Sequence, residues 1–223
     1  MALFKRFDLK TMHGQDNTRD VISNAYKDAA LILGKPYTIY RPSNIQNMLD
    51  PSNIIGQQNA YFSLNWKLNN ESKEPFQQYI CFSEMDSIQP GDILNDGNET
   101  FIIVWNRALD QIIAYKAEAL VEIWRADYSD KTNGLKAKPV LFMTNVPASI
   151  SSMPSVTDFT IQNVRTAAQA PSWDVRIWTD REQIQASDQI RRTVDNLWLM
   201  PMSIQNNKHY QILGCRTVNP HGQ

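Results

Sequence analysis

From residue 60 to the C-terminus, short runs of β-branched and aromatic residues alternate with turns rich in Asp, Asn, Gly and Pro. Residues 101–105 form one such run, and residues 173–177 alternate strictly between large apolar and charged side chains. Strict alternation places neighbouring side chains on opposite faces of a strand, which is typical of a half-buried strand. The sequence therefore predicts a mainly β protein.

One helix precedes this β region. A cluster of N-cap residues at 16–18 predicts its start, and Gly34 followed by Pro36 predicts its end, so we expect a helix over residues 19–33. We expect Gly34 to adopt the left-handed conformation that ends many helices. The apolar residues that we expect to face inward recur at helical spacing and are Val21, Ala25, Ala29 and Ile32, flanked by Ile22, Tyr26 and Leu33.

The fold class expected is α+β, mainly β with an N-terminal helix, built from one or two small β-barrel or sandwich units. A polar stretch at 127–138 is the predicted linker between an N-terminal unit (1–126) and a second β unit (139–223). Within the second unit, residues 146–168 are rich in Ser, Pro and Thr. This composition predicts a long exposed loop.

Two segments of the chain resemble each other. Ile88-Gln89 precedes Asp92 by the same spacing that separates Ile184-Gln185 from Asp188, and a hairpin pattern follows each aspartate. An aspartate at such a position caps its own turn by accepting backbone N–H groups. We expect the matching segments to close with strands that end at Arg125 and Arg216, and hence a common architecture in the two halves. The alternative is that hairpins with an Asp in the turn occur in any β protein.

Charge and hydropathy exclude several classes of function. The net charge is −1, so no general electrostatic attraction to nucleic acid or to an anionic membrane is expected. The first ten residues lack a continuous apolar run, and no window reaches the roughly 18 apolar residues of a membrane span. We expect a protein made in the cytoplasm that binds neither membranes nor, strongly, nucleic acid.

The sequence also predicts no catalytic, cofactor-binding or metal-binding residue. The three histidines, His13, His209 and His221, have no metal-ligand spacing to one another, and there is no phosphate loop or nucleophile motif. A carboxylate pair such as Glu118 and Glu122, or Asp174 and Asp188, is the one open route to a hydrolase. We expect a protein that is not an enzyme.

Two cysteines, Cys81 and Cys215, lie far apart in the sequence. No dense cysteine framework surrounds them, so we expect two buried apolar side chains, with a single disulfide as the alternative.

Strand alternation assigns two of the six tryptophans to outward faces. Trp124 shares a face with Glu122, and Trp178 shares a face with Asp174 and Arg176, whereas core packing is expected for the others. An outward aromatic side chain suits a protein interface, so Trp124 and Trp178 are candidate interface residues. The alternative is that the second face of each strand is covered as well.

Residues 26–42, which end in Tyr40-Arg41-Pro42, resemble the N-terminal stretch of virion proteins of tailed bacteriophages. The segment from Ile88 to Ile103 and the 119–125 strand are similar to the same proteins and to the small β-barrels of phage head-completion and tail-joining proteins. The resemblance covers mainly residues 15–125, and the family contributes no catalytic residues.

The resemblance implies a structural virion component that assembles as a ring at the head-to-tail connector, or neck. The baseplate or the periphery of the tail hub is the alternative location. Its partners would be copies of itself and neighbouring phage structural proteins, bound through loops and strand edges. Tyr40 and Arg41 join the candidate interface residues on this ground. A different class of function, a carbohydrate- or receptor-binding β module with Trp124 or Trp178 stacking on sugar, stays open.

Overall fold

The computed structural model describes residues 15–43, 46–65, 78–84, 88–106, 112–127, 138–151, 173–178, 184–206 and 210–219. Within these ranges, one helix, α1 (Gln15–Leu33), precedes twelve strands. The first six strands are β1 (Lys35–Tyr40), β2 (Ile54–Leu64), β3 (Gln78–Phe82), β4 (Ile93–Asn95), β5 (Thr100–Asn106) and β6 (Ile112–Ala117). The second six are β7 (Ala119–Asp127), β8 (Lys138–Ser151), β9 (Trp173–Trp178), β10 (Gln189–Arg192), β11 (Leu197–Asn206) and β12 (Tyr210–Thr217).

The strands close into two antiparallel barrels with the same connectivity. Barrel 1 has the order β1-β2-β3-β6-β5-β4, and barrel 2 has the equivalent order β7-β8-β9-β12-β11-β10. The predicted fold class, mainly β with an N-terminal helix, is confirmed. Closure gives each described strand two hydrogen-bonded neighbours, which removes the free edges through which open sheets recruit further strands.

The change from one barrel to the next lies between Ala117 and Ala119, so the predicted boundary at 127–138 is wrong. Strand β7 pairs with β8 and β10 and therefore belongs to barrel 2. Asp127 pairs with Lys138, so the polar stretch joins two neighbouring strands of one barrel. A polar composition marks a hairpin connection as readily as a domain linker.

The predicted long loop at 146–168 begins too early. Residues 146–151 are the last part of β8, and Val146 and Ala148 are fully buried in barrel 2. Residues 152–168 lie outside the described residues. Ser, Pro and Thr at this strand end suggested a loop, yet the buried alternate positions of β8 hold Val146, Ala148 and Ile150 as a strand requires.

Helix α1 packs on barrel 1 through only part of the face predicted. Its barrel-facing residues include Ala30, which is buried, and Ile22 and Tyr26, which pack against the barrel 1 core. The Tyr26 ring lies 4.8 Å from that of Phe82 on β3. Of the four residues expected at the centre of the inner face, Ala25 is exposed and Ile32 is 71 % exposed, whereas Val21 and Ala29 are half-buried. The helix thus packs through one flank of the predicted face. The helix carries two apolar stripes one residue apart, and the barrel covers only one of them.

Gly34 ends the helix for a reason other than the expected left-handed backbone. Positive φ angles occur among the described glycines at Gly91 and Gly97. Gly34 instead lies so close to the last turn of α1 and to β2 that a Cβ atom would come within 2.3 Å of the Ala30 carbonyl oxygen in the helix and 2.9 Å of the Ala60 carbonyl in β2. A side chain at this position would disturb both the end of α1 and its contact with the barrel.

The apolar core has two parts. The interior of barrel 1 forms one cluster, which contains Cys81, Leu94 and Phe101. The second cluster fills barrel 2 and continues onto the outer surface of barrel 1 through Ile93, Ile102 and other side chains. Both cysteines are fully buried and unbonded, one in each cluster, which confirms the expectation of two apolar side chains; burial raises the pKa of the Cys81 thiol.

An ion network ties the first strand of barrel 1 to its β4–β5 hairpin. The Lys35 Nζ lies 2.5 Å from Asp96 and 2.8 Å from Glu99, and Glu99 also accepts from Lys116 on β6 at 2.5 Å. The hydrogen bonds that Glu99 accepts from Lys116 and Lys35 lower the pKa of Glu99, and those that Lys35 donates to Asp96 and Glu99 raise the pKa of Lys35. The charged form of Glu99 therefore stabilises barrel 1.

We expect Glu99→Gln to destabilise the protein at pH 7 and to have little effect in acid. Because folding lowers the pKa of Glu99 from its ordinary value of 4.5, its contribution is complete above that value. It is lost as the pH falls through the lower value in the folded protein. The free energy of unfolding of the wild type and of Glu99→Gln, measured in urea from pH 7 to pH 3, should differ at pH 7 and converge in acid. A difference that stayed constant from pH 7 to pH 3 would contradict this role of the carboxylate.

Candidate interaction surface

Each barrel contains one buried aspartate that holds the end of its first strand. In barrel 1, Asp92 is 1 % exposed and accepts from Arg41 Nε and Nη2, both at 2.8 Å. Its Oδ2 also accepts from the Gln89 backbone N–H at 2.7 Å. A bidentate arginine and a backbone donor satisfy the carboxylate out of water. Asp92 caps its turn as expected, but through the N–H three residues before it and not through N–H groups two residues after it, and the arginine joins this turn to the end of the neighbouring strand β1.

Barrel 2 repeats this arrangement atom for atom. Asp188 is fully buried and accepts from Arg125 Nε and Nη2, both at 2.9 Å, and from the Gln185 backbone N–H at 2.8 Å. The arginine equivalent to Arg125 is thus Arg41, which ends the first strand of barrel 1. The expected match between Arg125 and Arg216 is wrong, since β7 is the counterpart of β1 and not of the closing strand β12.

The strand register is also the same in both barrels. Tyr40 lies just before Arg41 and pairs with Ile93, which lies just after Asp92. Trp124 pairs with Gln189 in the equivalent place. The pairing of the first two strands shifts at the same point in each barrel, between Ile39 and Tyr40 and between Ile123 and Trp124. The common architecture expected for the two halves is confirmed, and their surfaces can be compared position by position.

In barrel 1, the outer row of β4, β5 and β6 is covered by barrel 2. Ile93 pairs with Ile102, which pairs with Tyr115, and all three are buried in the cluster shared with barrel 2. Strand β8 covers part of this row, since the Ser149 hydroxyl donates to the Lys116 carbonyl at 2.7 Å.

A strained turn of β8 fastens the two barrels further. Asn145 has a φ of 51°, within a register shift of β8, and this frees the Thr144 backbone. The Thr144 N–H donates to the Gln46 carbonyl at 2.7 Å, and its carbonyl accepts from the Met48 N–H at 3.3 Å. The Asn145 amide donates to Asn47 at 3.0 Å. The segment 46–48 of barrel 1 thus lies along β8 and fixes the contact between the barrels.

The equivalent surface of barrel 2 is only partly covered, with half-buried side chains beside the buried Trp198. We call it the β7–β10–β11 face. Its first row holds Trp124, Gln189 and Met200, in the positions that Tyr40, Ile93 and Ile102 occupy in barrel 1. Its second row is Glu122, Arg191 and Trp198, which pair directly across the three strands.

Aromatic and ionic contacts order this face. The Trp124 and Trp198 rings lie 5.8 Å apart, and the Trp124 indole N–H donates to Glu122 at 3.1 Å. Arg191 also donates to Glu122 at 3.1 Å and lies 5.8 Å from the Trp198 ring. The buried Oε1 of Gln189 has no hydrogen-bond partner among the described residues. A tryptophan pair held by an arginine is a composition typical of the centre of a protein interface.

Of the four predicted interface residues, Tyr40 and Trp124 occupy equivalent places in the two barrels, and Arg41 follows Tyr40 directly. Tyr40 and Arg41 in barrel 1 correspond to Trp124 and Arg125 in barrel 2. Each arginine forms an ion pair with its aspartate. Arg41 therefore holds the end of β1 next to Tyr40, and its charge is already paired. Trp178 lies in β9, but its side chain is outside the described residues.

Sequence reasoning missed the other members of the face. Trp198 is buried, at 6 % exposed, as expected for a tryptophan that packs in the core, but it lies on the outer row of β11. Alternation in β11 around the interior residue Leu199 was the signal that could have placed it there. Nothing in the sequence around Arg191 or Gln189 indicates their neighbours across the barrel.

The described residues do not form a recognisable metal or carboxylate-pair site. No group of three metal-ligating side chains comes together in the part of the chain that is described. Glu118 and Glu122 do not converge as a pair: Glu118 accepts from the Ile150 backbone N–H at 3.2 Å, whereas Glu122 accepts from Trp124 and Arg191. The carboxylate of Asp188 is engaged with Arg125, and the Asp174 side chain lies outside the described residues.

Comparison with known proteins adds no relative. No family model matches the chain, and neither a curated protein nor a solved structure is significantly similar to it. Over the described residues, no helix combines the length and the apolar character needed to cross a membrane.

Proposed function

We propose that this chain is a structural component of a tailed-phage virion that acts by assembly, as a ring of copies at the head-to-tail connector. The observation that carries the proposal is the β7–β10–β11 face, where Trp124 and Trp198 lie 5.8 Å apart on the outside of a barrel. The resemblance of residues 26–42 and 88–125 to virion proteins supplies the setting. The periphery of the baseplate or tail hub is the alternative location.

Of the two expected modes of assembly, strand addition is not supported by the described strands, and the expected contribution of the long loop falls on residues outside those described. Because both barrels are closed, the described strands offer no free edge to which a neighbour could add a strand. Side-chain faces and the helix surface are what a partner can bind. The exposed apolar residues support this, since Leu31 and Leu33 at the end of α1 are each 61 % exposed and Leu141, opposite Trp124, is 42 % exposed.

Mass spectrometry of purified virions tests the proposal. The protein should be present in a small fixed copy number, compatible with one ring and far below that of a capsid or tail-tube protein. Absence of the protein from purified particles would contradict a structural role. Labelling with an antibody to a tagged copy would then separate neck from baseplate.

A second function is favoured by the hydrogen-bonding groups around Trp124. Glu122 and Arg191 lie beside the indole, and an aromatic ring flanked by such groups is suited to stack on a sugar and bind its hydroxyls. The chain would then be a carbohydrate- or receptor-binding module. Binding of the isolated protein to a glycan array, abolished by Trp124→Ala, would favour this function over assembly.

A further inference from the structure

The contact between the two barrels of one chain provides a template for contact between chains. Barrel 1 receives barrel 2 on the outer row that contains Ile93, Ile102 and Tyr115. Barrel 2 approaches with β8, through Thr144 and Ser149. One barrel therefore has a receiving surface on the outside of its fourth to sixth strands and a presenting surface on its second strand.

The receiving surface has an equivalent on barrel 2. Gln189 and Met200 stand where Ile93 and Ile102 stand in barrel 1, and Arg216, which pairs with Met200, stands where Tyr115 stands. Met200 is half-buried and Arg216 is exposed. This row is therefore only partly covered, whereas its counterpart in barrel 1 is buried.

The presenting surface of barrel 1 is occupied by α1. Strand β2 is the counterpart of β8, and the helix lies across β2 and β3, where Tyr26 meets Phe82. The second apolar stripe of the helix lies beside the one that packs on the barrel. We call it the outer stripe of α1, and it consists of two half-buried residues, Val21 and Ala29, and two exposed ones, Ala25 and Ile32.

We infer that copies of this chain join head to tail, with the outer stripe of α1 on one copy seated on the β7–β10–β11 face of the next. The inference deepens the proposed assembly function and rests on it. Three observations point to a second copy as the occupant. The receiving row is equivalent to the one that barrel 2 covers within the chain, both surfaces carry exposed or half-buried apolar side chains, and their charges are complementary.

The charges lie at matching places. Asp28 is exposed one helical turn before Ile32, and Asp20 is exposed at the other end of the stripe. Arg216 is exposed on the receiving row, and Arg191 borders it. The two surfaces differ, so the contact is heterologous and leaves one of each kind unused at the ends of any short chain of copies. Such a contact closes into a ring when the rotation between copies permits.

Two variants and their mixture test this arrangement by sedimentation velocity. Ile32→Asp removes the presenting surface, and Met200→Lys removes the receiving surface. The wild-type protein should form species larger than a dimer as its concentration rises, while each variant alone should associate at least about tenfold more weakly. An equimolar mixture should give heterodimers and nothing larger, because it contains one intact pair of surfaces.

A matched control excludes a general effect of surface hydrophobicity. Val194 is 82 % exposed in the turn between β10 and β11 and belongs to neither surface. Val194→Asp should assemble like the wild type, and all three variants should keep the wild-type thermal transition. If Met200→Lys lowers that transition, Arg216→Glu replaces it.

Three results would overturn the inference. They are a wild-type protein that stays monomeric, an Ile32→Asp variant that still assembles, and a mixture that forms no heterodimer. Failure here together with presence of the protein in virions would reject the head-to-tail contact and leave the proposed function standing. Absence from virions together with the expected mixture result would reject the function and keep the contact.

Discussion

Replacement of Asp188 with alanine is expected to lower the free energy of unfolding by about 3–5 kcal/mol, the usual cost of breaking a buried ion pair. The variant leaves the Arg125 guanidinium, whose side chain is 23 % exposed, without its carboxylate, and leaves the Gln185 N–H without an acceptor. The thermal midpoint should fall by roughly 6–20 °C for a chain of this length. Calorimetry or circular dichroism measures the change.

The chain contains its own controls for this prediction. Asp92→Ala should cost less, because Arg41 is 39 % exposed and water can solvate it after the change. Asp195 forms a comparable arginine pair with Arg192 on the surface, so Asp195→Ala should leave the transition close to that of the wild type. If Asp188→Ala and Asp195→Ala lowered the thermal midpoint equally, burial would not set the strength of the arginine–aspartate pair.

Gly34→Ala is the second change with a large expected effect. The added methyl group would meet the Ala30 carbonyl oxygen at 2.3 Å and the Ala60 carbonyl at 2.9 Å, and both are backbone atoms that cannot rotate away. We expect a loss of about 3 kcal/mol, at the upper end for overpacking, with α1 displaced from barrel 1. Amide exchange should then speed up in α1 and β2 and not in barrel 2.

Gly56→Ala is the matched control. Gly56 lies in the same strand as Ala60, and a Cβ atom there would meet nothing within 4 Å. The substitution should leave stability unchanged or raise it by up to about 1 kcal/mol, through the smaller entropy of the unfolded chain. A Gly34→Ala protein as stable as Gly56→Ala would mean that α1 does not pack against β2 as closely as described.

Local patterns predicted much of this fold because the strands carry their own signals. The alternation in residues 173–177 and the β-branched run at 101–105 gave β9 and β5, and the Asp turns at 92 and 188 marked equivalent places in two barrels. The local sequence pattern could not predict how the strands close into two barrels. Whether β7 closes the first barrel or opens the second depends on its hydrogen bonds to β10, which lies more than 60 residues later.

The candidate surface was predictable in part for the same reason. Strand parity placed Trp124 outside, since Val121 and Ile123 had to be inside. The centre of the helix face was wrong because Ile22, Tyr26 and Ala30 form a stripe as regular as the one containing Ile32, and only the shape of barrel 1 selects between them. The Arg125–Asp188 pair joins a residue of β7 to one in the turn before β10, and no spacing in the sequence connects them.

Incorporation of two variants into virions tests the central claim, that this protein acts through a side-chain surface and not through side-chain chemistry. Trp124→Ala removes the centre of the β7–β10–β11 face. His209→Gln removes one of the three histidines, the control for side-chain chemistry, and His209 lies outside the described residues. Both proteins should fold, as judged by the thermal transition. Quantitative mass spectrometry of particles made with each variant should show Trp124→Ala depleted by about tenfold or more, as expected for an interface aromatic, and His209→Gln at the wild-type level. A folded His209→Gln protein that abolished infectivity, beside a Trp124→Ala protein incorporated normally, would contradict the account.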